Sequence, residues 1–191
     1  MGRVISFEER AVARLRDRLG EAETARAHLL AFARGHSGAV ASIHQAVLDA
    51  LEANSLDEMI AIVTGDWPEI LGLDSVVLVM VVGDQAFRAD RFGVQLIARP
   101  IVNRAMQSLG AVELRNVTRG HPLFGDAADE VRSEALVRLD SPTPLPYGLL
   151  ALGQQAAQSL ETPHGADLLL FLGQSLAAMI RRWAMTEPNH K

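Results

Sequence analysis

The run from Ser75 to Val82, SVVLVMVV, limits the choice of fold more than any other stretch of this sequence. Its eight residues carry no charge, and most are β-branched, which favours an extended strand. Apolar and polar residues do not alternate in it, so neither face is suited to water. Hydrophobic residues make up 49% of the 191-residue chain, enough to cover such a strand. We therefore predict a central strand that is buried on both faces.

A second feature is a pair of strand-like runs, Arg132 to Leu139 and Tyr147 to Leu152, on either side of a proline-rich turn. This arrangement predicts neighbouring antiparallel strands, and we place this hairpin at the centre of the sheet. The first run has an apolar face, made by Ser133, Ala135, Val137 and Leu139. The opposite face is predicted to be mostly solvated and holds Arg132, Glu134, Leu136, Arg138 and Asp140.

Helix signals occupy both ends of the chain. Capping boxes at Ser6–Glu9 and Ser55–Glu58 each open a helix, and Thr162-Pro163 opens the C-terminal one, which can cover the sheet. The order of predicted elements is a helix over 6–34, a helix over 40–54, a helix from 55 to Gly72, the strand 75–82, irregular strands over 85–97, a helix over 100–109, a strand over 111–117, a loop over 118–130, the hairpin, and a helix over 168–183.

Several of these segments together resemble a known family. They are VISFEERAVARLRDRL near the start, ANSLDEM before the third helix, RSEALVRL and YGLLALG in the hairpin, and RRW at the end of the last helix. In this order they resemble the bacterial domain of unknown function 484, within the GAF-like superfamily of small-molecule-binding sensor domains. The resemblance implies an α+β fold, with an antiparallel sheet of about six strands flanked by helices, and a long N-terminal helical arm. It implies no catalytic residues and no particular ligand.

Composition excludes several classes of function. A net charge of −5 disfavours nucleic-acid binding, which needs clustered positive charge. The absence of cysteine removes thiolate chemistry and disulfides, and the only lysine is Lys191. The first residues lack the apolar core of a signal peptide. The longest uncharged helical run, Leu168 to Ile180, is shorter than the roughly 20 residues that span a bilayer. We expect a soluble, cytoplasmic protein that does not act on a membrane.

Catalytic and cofactor motifs give little support to an enzyme. The six histidines form no HExxH pattern, so no metal site is predicted, and neither GxGxxG nor a Walker motif occurs. Ser37 in GHSGA departs from the GxSxG nucleophile elbow, because alanine replaces the second glycine and a helix precedes it. We expect a protein that is not an enzyme, and the sequence specifies no cofactor.

A small-molecule site is predicted between the sheet and the helix over 100–109, beneath the loop over 118–126. Loops rich in glycine and proline between strands often carry binding residues, and ligand pockets combine apolar walls with a few polar groups. The alternative is that the apolar residues fill the core and the arginines are solvated. The predicted walls are Phe92, Met106 and Phe124, and the predicted polar anchors are Arg99, Arg104, His121 and Ser133.

Three functions remain open from the sequence. The leading one is a non-catalytic, GAF-like sensory or regulatory domain for signalling, which binds an unidentified small molecule. The second is a protein-binding adaptor with no open pocket, and the third and most remote is an enzyme. Residues 1–36 are assigned to the helical arm, and residues 37–191 to the GAF-like domain.

The arm itself predicts a homodimer through a coiled coil. Its apolar positions form a narrow stripe on a highly charged helix, and pairing two stripes removes them from water. They are Leu15, Leu19, Ala22, Ala25, Leu29 and Phe32. The alternative is that the helix packs on its own domain.

We expect light scattering to give the mass of a dimer for the full chain and of a monomer for a chain that starts at Ser37. Each large apolar side chain buried contributes about 1.5 to 3 kcal/mol, so several can offset the entropy of association. Equal masses for the two chains would show that the arm is not the dimer interface.

Overall fold

The computed structural model describes residues 20, 23, 26, 37–142, 144–157 and 163–186. The chain divides into two compact units, Met1–Ala41 and Ser42–Lys191. Three positions of the predicted arm, Gly20, Glu23 and Arg26, are helical, and the rest of it lies outside the described residues. Pairing through the arm and the division after residue 36 therefore stay predictions.

The described elements follow the predicted order closely. No helix in these ranges is both long and apolar enough to cross a membrane. The elements are α1 (residues 37–52), α2 (Leu56–Ala61), a π-turn (Ile62–Asp66), α3 (Trp67–Leu71), β1 (Ser75–Val82), β2 (Gln85–Asp90), β3 (Gly93–Ile97), α4 (Arg99–Ser108), β4 (Val112–Asn116), a 3-10 helix (Pro122–Asp129), β5 (Ser133–Leu139), β6 (Tyr147–Gln154) and α5 (Pro163–Thr186).

One antiparallel sheet of six strands has the order β3-β2-β1-β6-β5-β4, which confirms the fold class. The predicted hairpin is present as β5 and β6, with Val137 opposite Leu150. Its placement at the centre was wrong for β5, because β1 inserts between β2 and β6 and moves β5 next to the edge strand β4. The centre of the sheet is the β1–β6 pair, in which Leu78 lies opposite Leu150.

Strand β1 is buried from Val76 to Val81, which confirms the prediction from its sequence. Alternate side chains enter two separate apolar layers, because successive residues of a strand point to opposite faces. Helices α1, α2, α3 and α5 cover the face that holds Val76, Leu78 and Met80. Helix α4 and the 3-10 helix cover the face that holds Val77, Val79 and Val81.

The second face of β5 is solvated only at its ends, where Arg132 and Asp140 are exposed, and its middle is buried, contrary to the prediction. Glu134 is only 2% exposed, and Leu136 packs in the layer beneath α4. The alternation of charged residues suggested contact with water, but a buried carboxylate is tolerated when it is fully paired. Glu134 receives hydrogen bonds from Arg115 Nε and from the backbone N–H of His121, each 2.6 Å long.

The capping residues predicted between α1 and β1 are confirmed. Ser55 Oγ accepts a hydrogen bond of 3.0 Å from the Glu58 N–H, and Gly72 ends α3 with a φ of 65°. Pro68 lies in the first turn of α3, directly after the π-turn. The π-turn widens the helix at Thr64 and Gly65, close to the point where β1 begins.

The segment over 85–97 is more regular than predicted. It forms the hairpin β2–β3, with Arg88 opposite Gln95. Strand β3 lies at the sheet edge, and its Val94 and Leu96 are exposed. The loop predicted over 118–130 contains the 3-10 helix, which is interrupted at Gly125.

We expect Val79→Asp to abolish the yield of folded protein, and Val82→Asp, in the same strand, to leave it folded. An unpaired buried carboxylate costs several kcal/mol, comparable to the roughly 5–15 kcal/mol by which a domain is stable. Val79 is 0% exposed, whereas Val82 is 45% exposed. Expression and thermal melting check this, and normal melting of Val79→Asp would contradict the burial of β1.

Candidate functional site

The described residues enclose a cleft of about 730 Å³ at the end of the sheet where β1 begins and β2 ends. Five parts of the fold supply its walls: the π-turn region, the strands β1 to β3, the β2–β3 turn, the 3-10 helix with the residues that follow it, and Gln155 after β6. The lining residues are Thr64, Gly65, Pro68, Asp74, Ser75, Val76, Arg88, Asp90, Arg91, Phe92, Gln95, Phe124, Gly125, Asp126, Ala127, Glu130, Val131 and Gln155.

Arg88 connects two of these walls. Arg88 lies in β2. Its Nε donates to the Leu123 carbonyl at 2.6 Å, and its Nη2 donates to the Phe124 carbonyl at 3.0 Å. The same Nη2 lies 2.6 Å from Asp90 Oδ2, and the two side chains are only 12% and 11% exposed. A paired and partly buried guanidinium is held in one position. Arg88 therefore fixes the 3-10 helix to the sheet.

Gly125 makes this approach possible. Its backbone has φ 60° and ψ −129°, a combination that side chains disfavour. A Cβ atom at this position would lie 2.8 Å from Arg88 Nη2. Glycine is thus required for its backbone conformation and for the space that the guanidinium occupies.

The turn between β2 and β3 forms the outer wall. Asp90 Oδ1 accepts the Phe92 N–H at 2.8 Å, so this carboxylate both pairs with Arg88 and shapes the turn. The Phe92 ring is 78% exposed, and the Arg91 guanidinium carbon lies 4.7 Å from its centroid. A cation at this distance over an aromatic ring is attracted by its electrons. The turn thus presents an open aromatic surface at the cleft.

Gln155, directly after β6, organises the opposite wall. Its backbone N–H donates to Asp74 Oδ2 at 2.8 Å, and its side-chain amide donates to Glu130 Oε2 at 2.7 Å. Both carboxylates are therefore held by a neutral residue. These hydrogen bonds bring no positive group to either carboxylate, so this wall is negatively charged.

The π-turn contributes Thr64 and Gly65 to the cleft. The Thr64 hydroxyl donates to the Ile60 carbonyl at 2.8 Å, so its proton is used inside the helix. An added Cβ on Gly65 would meet nothing within 4 Å. Single π-turns inside helices occur frequently at functional sites, because they widen the backbone locally.

Only two of the seven predicted site residues, Phe92 and Phe124, line this cleft. The cleft does not lie between α4 and the sheet, where a cavity was predicted, and Met106 is buried there among the apolar side chains that pack with α4. Ser133 is buried at the start of β5, and Arg104 is exposed on α4.

The two other predicted residues have structural contacts away from the cleft. Arg99 lies 3.1 Å from Asp84 near the start of α4. His121 Nδ1 accepts the Leu123 N–H at 3.2 Å and caps the 3-10 helix. Whether any of the seven residues contacts a ligand stays a prediction.

Burial holds the pKa of His121 below its ordinary value, although the Glu134 carboxylate acts in the opposite direction. The neutral imidazole keeps Nδ1 as an acceptor for the helix cap. The unfolded chain binds the proton more readily, so protonation of His121 opposes folding as the pH falls below about 6.5. The protonation state of His121 therefore affects the stability of the 3-10 helix, which covers one face of the sheet.

No three His, Cys, Asp or Glu side chains converge in the described ranges, so these ranges offer no ligand set for a metal ion.

Arg88, Asp90 and Gly125 are among the cleft residues that sequence reasoning missed. Arg88 and Asp90 share a strand face at a spacing of two, a pattern that predicts an ion pair. The contacts of Arg88 with Leu123 and Phe124, 35 and 36 positions away, could not be read from that pattern.

We expect Arg88→Lys to speed amide hydrogen exchange over residues 122–129 roughly tenfold, the equivalent of about 1.4 kcal/mol of lost hydrogen bonding. A lysine ammonium can pair with Asp90 but cannot reproduce the guanidinium geometry toward both carbonyls. Arg91→Lys, an exposed change in the turn that follows β2, is the control. Equal exchange in the two variants would show that Arg88 does not hold the 3-10 helix.

Comparison with known proteins identifies the fold. The chromophore-binding domain of the Stigmatella aurantiaca bacteriophytochrome has a TM-score of 0.53 and 11% identity, over 73% of this chain and 58% of that one. The biliverdin-bound, far-red absorbing dark state of JSC1_58120g3 has a TM-score of 0.52 and 13% identity, over 74% and 98%. The GAF domain of the Coxiella burnetii phosphoenolpyruvate-protein phosphotransferase has a TM-score of 0.51 and 14% identity, over 74% and 91%.

These likenesses support a GAF-like fold and carry no ligand across, because all three are distant in sequence. No curated protein matches the sequence significantly. A family model does match, over residues 1–185, and it is described as protein of unknown function, DUF484. The chain therefore belongs to the DUF484 family.

Proposed function

We propose that the unit Ser42–Lys191 is a non-catalytic sensory or regulatory domain that binds a small molecule in the cleft. The observation that carries the proposal is the cleft itself, whose volume of about 730 Å³ lies within the range of about 300–1,000 Å³ common for ligand pockets. Its walls combine apolar side chains such as Val76 and Phe124 with charged ones such as Asp126.

A ligand in this position would contact parts of the chain that are far apart in sequence. Thr64 belongs to the helical layer, Arg88 to the sheet, and Gly125 to the 3-10 helix on the opposite face. Binding that joins such elements stabilises the folded state by mass action. Occupancy can thus alter the layers on both faces of the sheet, as a sensory domain requires.

The fold comparison supports a sensory role. Two of the similar structures are the chromophore-binding domain of a bacteriophytochrome and a biliverdin-bound protein. The finer part of the proposal is that two copies pair through the N-terminal arm, so that a ligand signal can pass between chains. The stripe of apolar residues in the arm sequence supports this pairing.

The second candidate is an adaptor that binds another protein. It is favoured by the exposed apolar side chains at the sheet edge, namely Phe92, Val94 and Leu96. Grouped exposed apolar side chains often mark interaction surfaces. A protein that melts at the same temperature with every small molecule tested would favour this candidate.

We expect screening of a metabolite library by thermal melting to yield compounds that raise the melting temperature of the full chain. At 100 times its dissociation constant a ligand adds about 2.7 kcal/mol, which corresponds to roughly 5–10 °C for a chain of this size. Gly65→Phe should remove the shift, because it places a ring at the cleft wall.

The matched control is Gly110→Phe, at another open position that does not line the cleft. It should keep the shift. A ligand whose effect survives Gly65→Phe binds elsewhere, and a library with no active compound would contradict the proposal.

A further inference from the structure

We infer that the cleft selects an organic cation, a compound with an ammonium or amidinium group on an apolar body. The inference rests on the proposed function, since it names the ligand class of the same cleft. The volume and walls of the cleft define the site, and the balance of its charges decides which ligands it attracts.

More negative than positive side chains line the cleft. Four are carboxylates and two are guanidiniums, so the lining carries an excess of two negative charges. They are Asp74, Asp90, Asp126 and Glu130 against Arg88 and Arg91.

The two positive groups already have partners within the protein. Arg88 is paired with Asp90 and donates to two backbone carbonyls, so little of its donor capacity faces a ligand. Arg91 lies over the Phe92 ring. An anionic ligand would have to compete with these contacts.

The remaining carboxylates lack such partners. Asp74 and Glu130 receive hydrogen bonds from Gln155, which is neutral. Asp126 forms no ion pair within the part of the chain that is described. The unmatched charge is therefore negative, and a cation entering the cleft compensates it without displacing an existing ion pair.

The apolar walls favour an organic cation over a metal ion. Pro68, Val76 and the exposed side of the Phe92 ring away from Arg91 can cover a hydrocarbon or aromatic body. The described residues also offer no convergent set of three metal-ligating side chains. A bare divalent cation would pair with the carboxylates but would leave the apolar surface of the cleft exposed to water.

The test compares two probes of similar shape and opposite charge with the full chain at pH 7. They are 2-phenylethylamine, which is an ammonium ion at this pH, and 3-phenylpropanoate, each titrated into isotopically labelled protein and followed by amide NMR shifts. The ammonium should shift the amides of Gln95, Gly125 and Gln155, and raising the salt from about 50 to 500 mM should weaken its binding several-fold. The propanoate should leave these amides unchanged.

Charge-removing variants link the binding to the carboxylates. Asp126→Asn and Glu130→Gln should each raise the dissociation constant of the ammonium about threefold, as expected for partly screened charges. Asp167→Asn removes an exposed carboxylate of α5 outside the cleft and should have no effect. Thermal melting of each variant confirms that the protein is folded.

Three results would overturn this inference, and the first of them separates it from the proposed function. Propanoate shifts at the cleft amides, without ammonium shifts, would overturn the cation inference while keeping the cleft as a binding site. Ammonium binding that is unaffected by both cleft variants, or shifts with neither probe, would also overturn the inference. In those cases the library screen with Gly65→Phe decides the proposed function by itself.

Discussion

Burial of β1 on both faces is the constraint on which the rest of the structure depends. A strand that is apolar from Val76 to Val82 needs apolar cover on each side, and each large side chain buried contributes about 1.5–3 kcal/mol. Two layers of helices supply that cover. The neighbour β6 adapts to the strand with Gly148, since a Cβ there would collide with the Val79 carbonyl oxygen. The two central strands can therefore lie close together only with glycine at this position.

Local signals predicted the elements well, because their causes lie within a few residues. The Ser55 cap, the αL glycine at Gly72 and the uncharged run of β1 each act through near neighbours. The position of β5 and the burial of Glu134 depend on strands and loops that are distant in sequence. The alternation in β5 was identified correctly, but sequence periodicity cannot show which faces other elements cover.

The candidate site shows the same difference between local features, which the sequence predicts, and long-range contacts, which it does not. Phe92 and Phe124 were predicted from the sequence as apolar walls of a pocket, and both line the cleft. The cleft itself arises where regular strand pairing stops, and its shape is set by the contacts of Arg88 with Asp90 and with the 3-10 helix. Those contacts require a glycine with positive φ at Gly125. A Gly-Asp pair occurs in many kinds of loop, so the sequence alone does not show that glycine is needed beside Arg88. The folded structure shows it.

The π-turn also limits how this region can change in length. It is one inserted residue in a helix that is otherwise α-helical from Leu56 to Leu71. Deleting one residue there would restore regular α-helix and keep the turns on either side in nearly the same rotation, because a π-turn absorbs an inserted residue by widening. Met59 and Trp67, both fully buried, would then lie seven positions apart and still face the core together. Loss of one residue therefore removes the widening at the cleft wall and keeps the helical core, whereas loss of a second residue would rotate the preceding turn by about 100° relative to the following one.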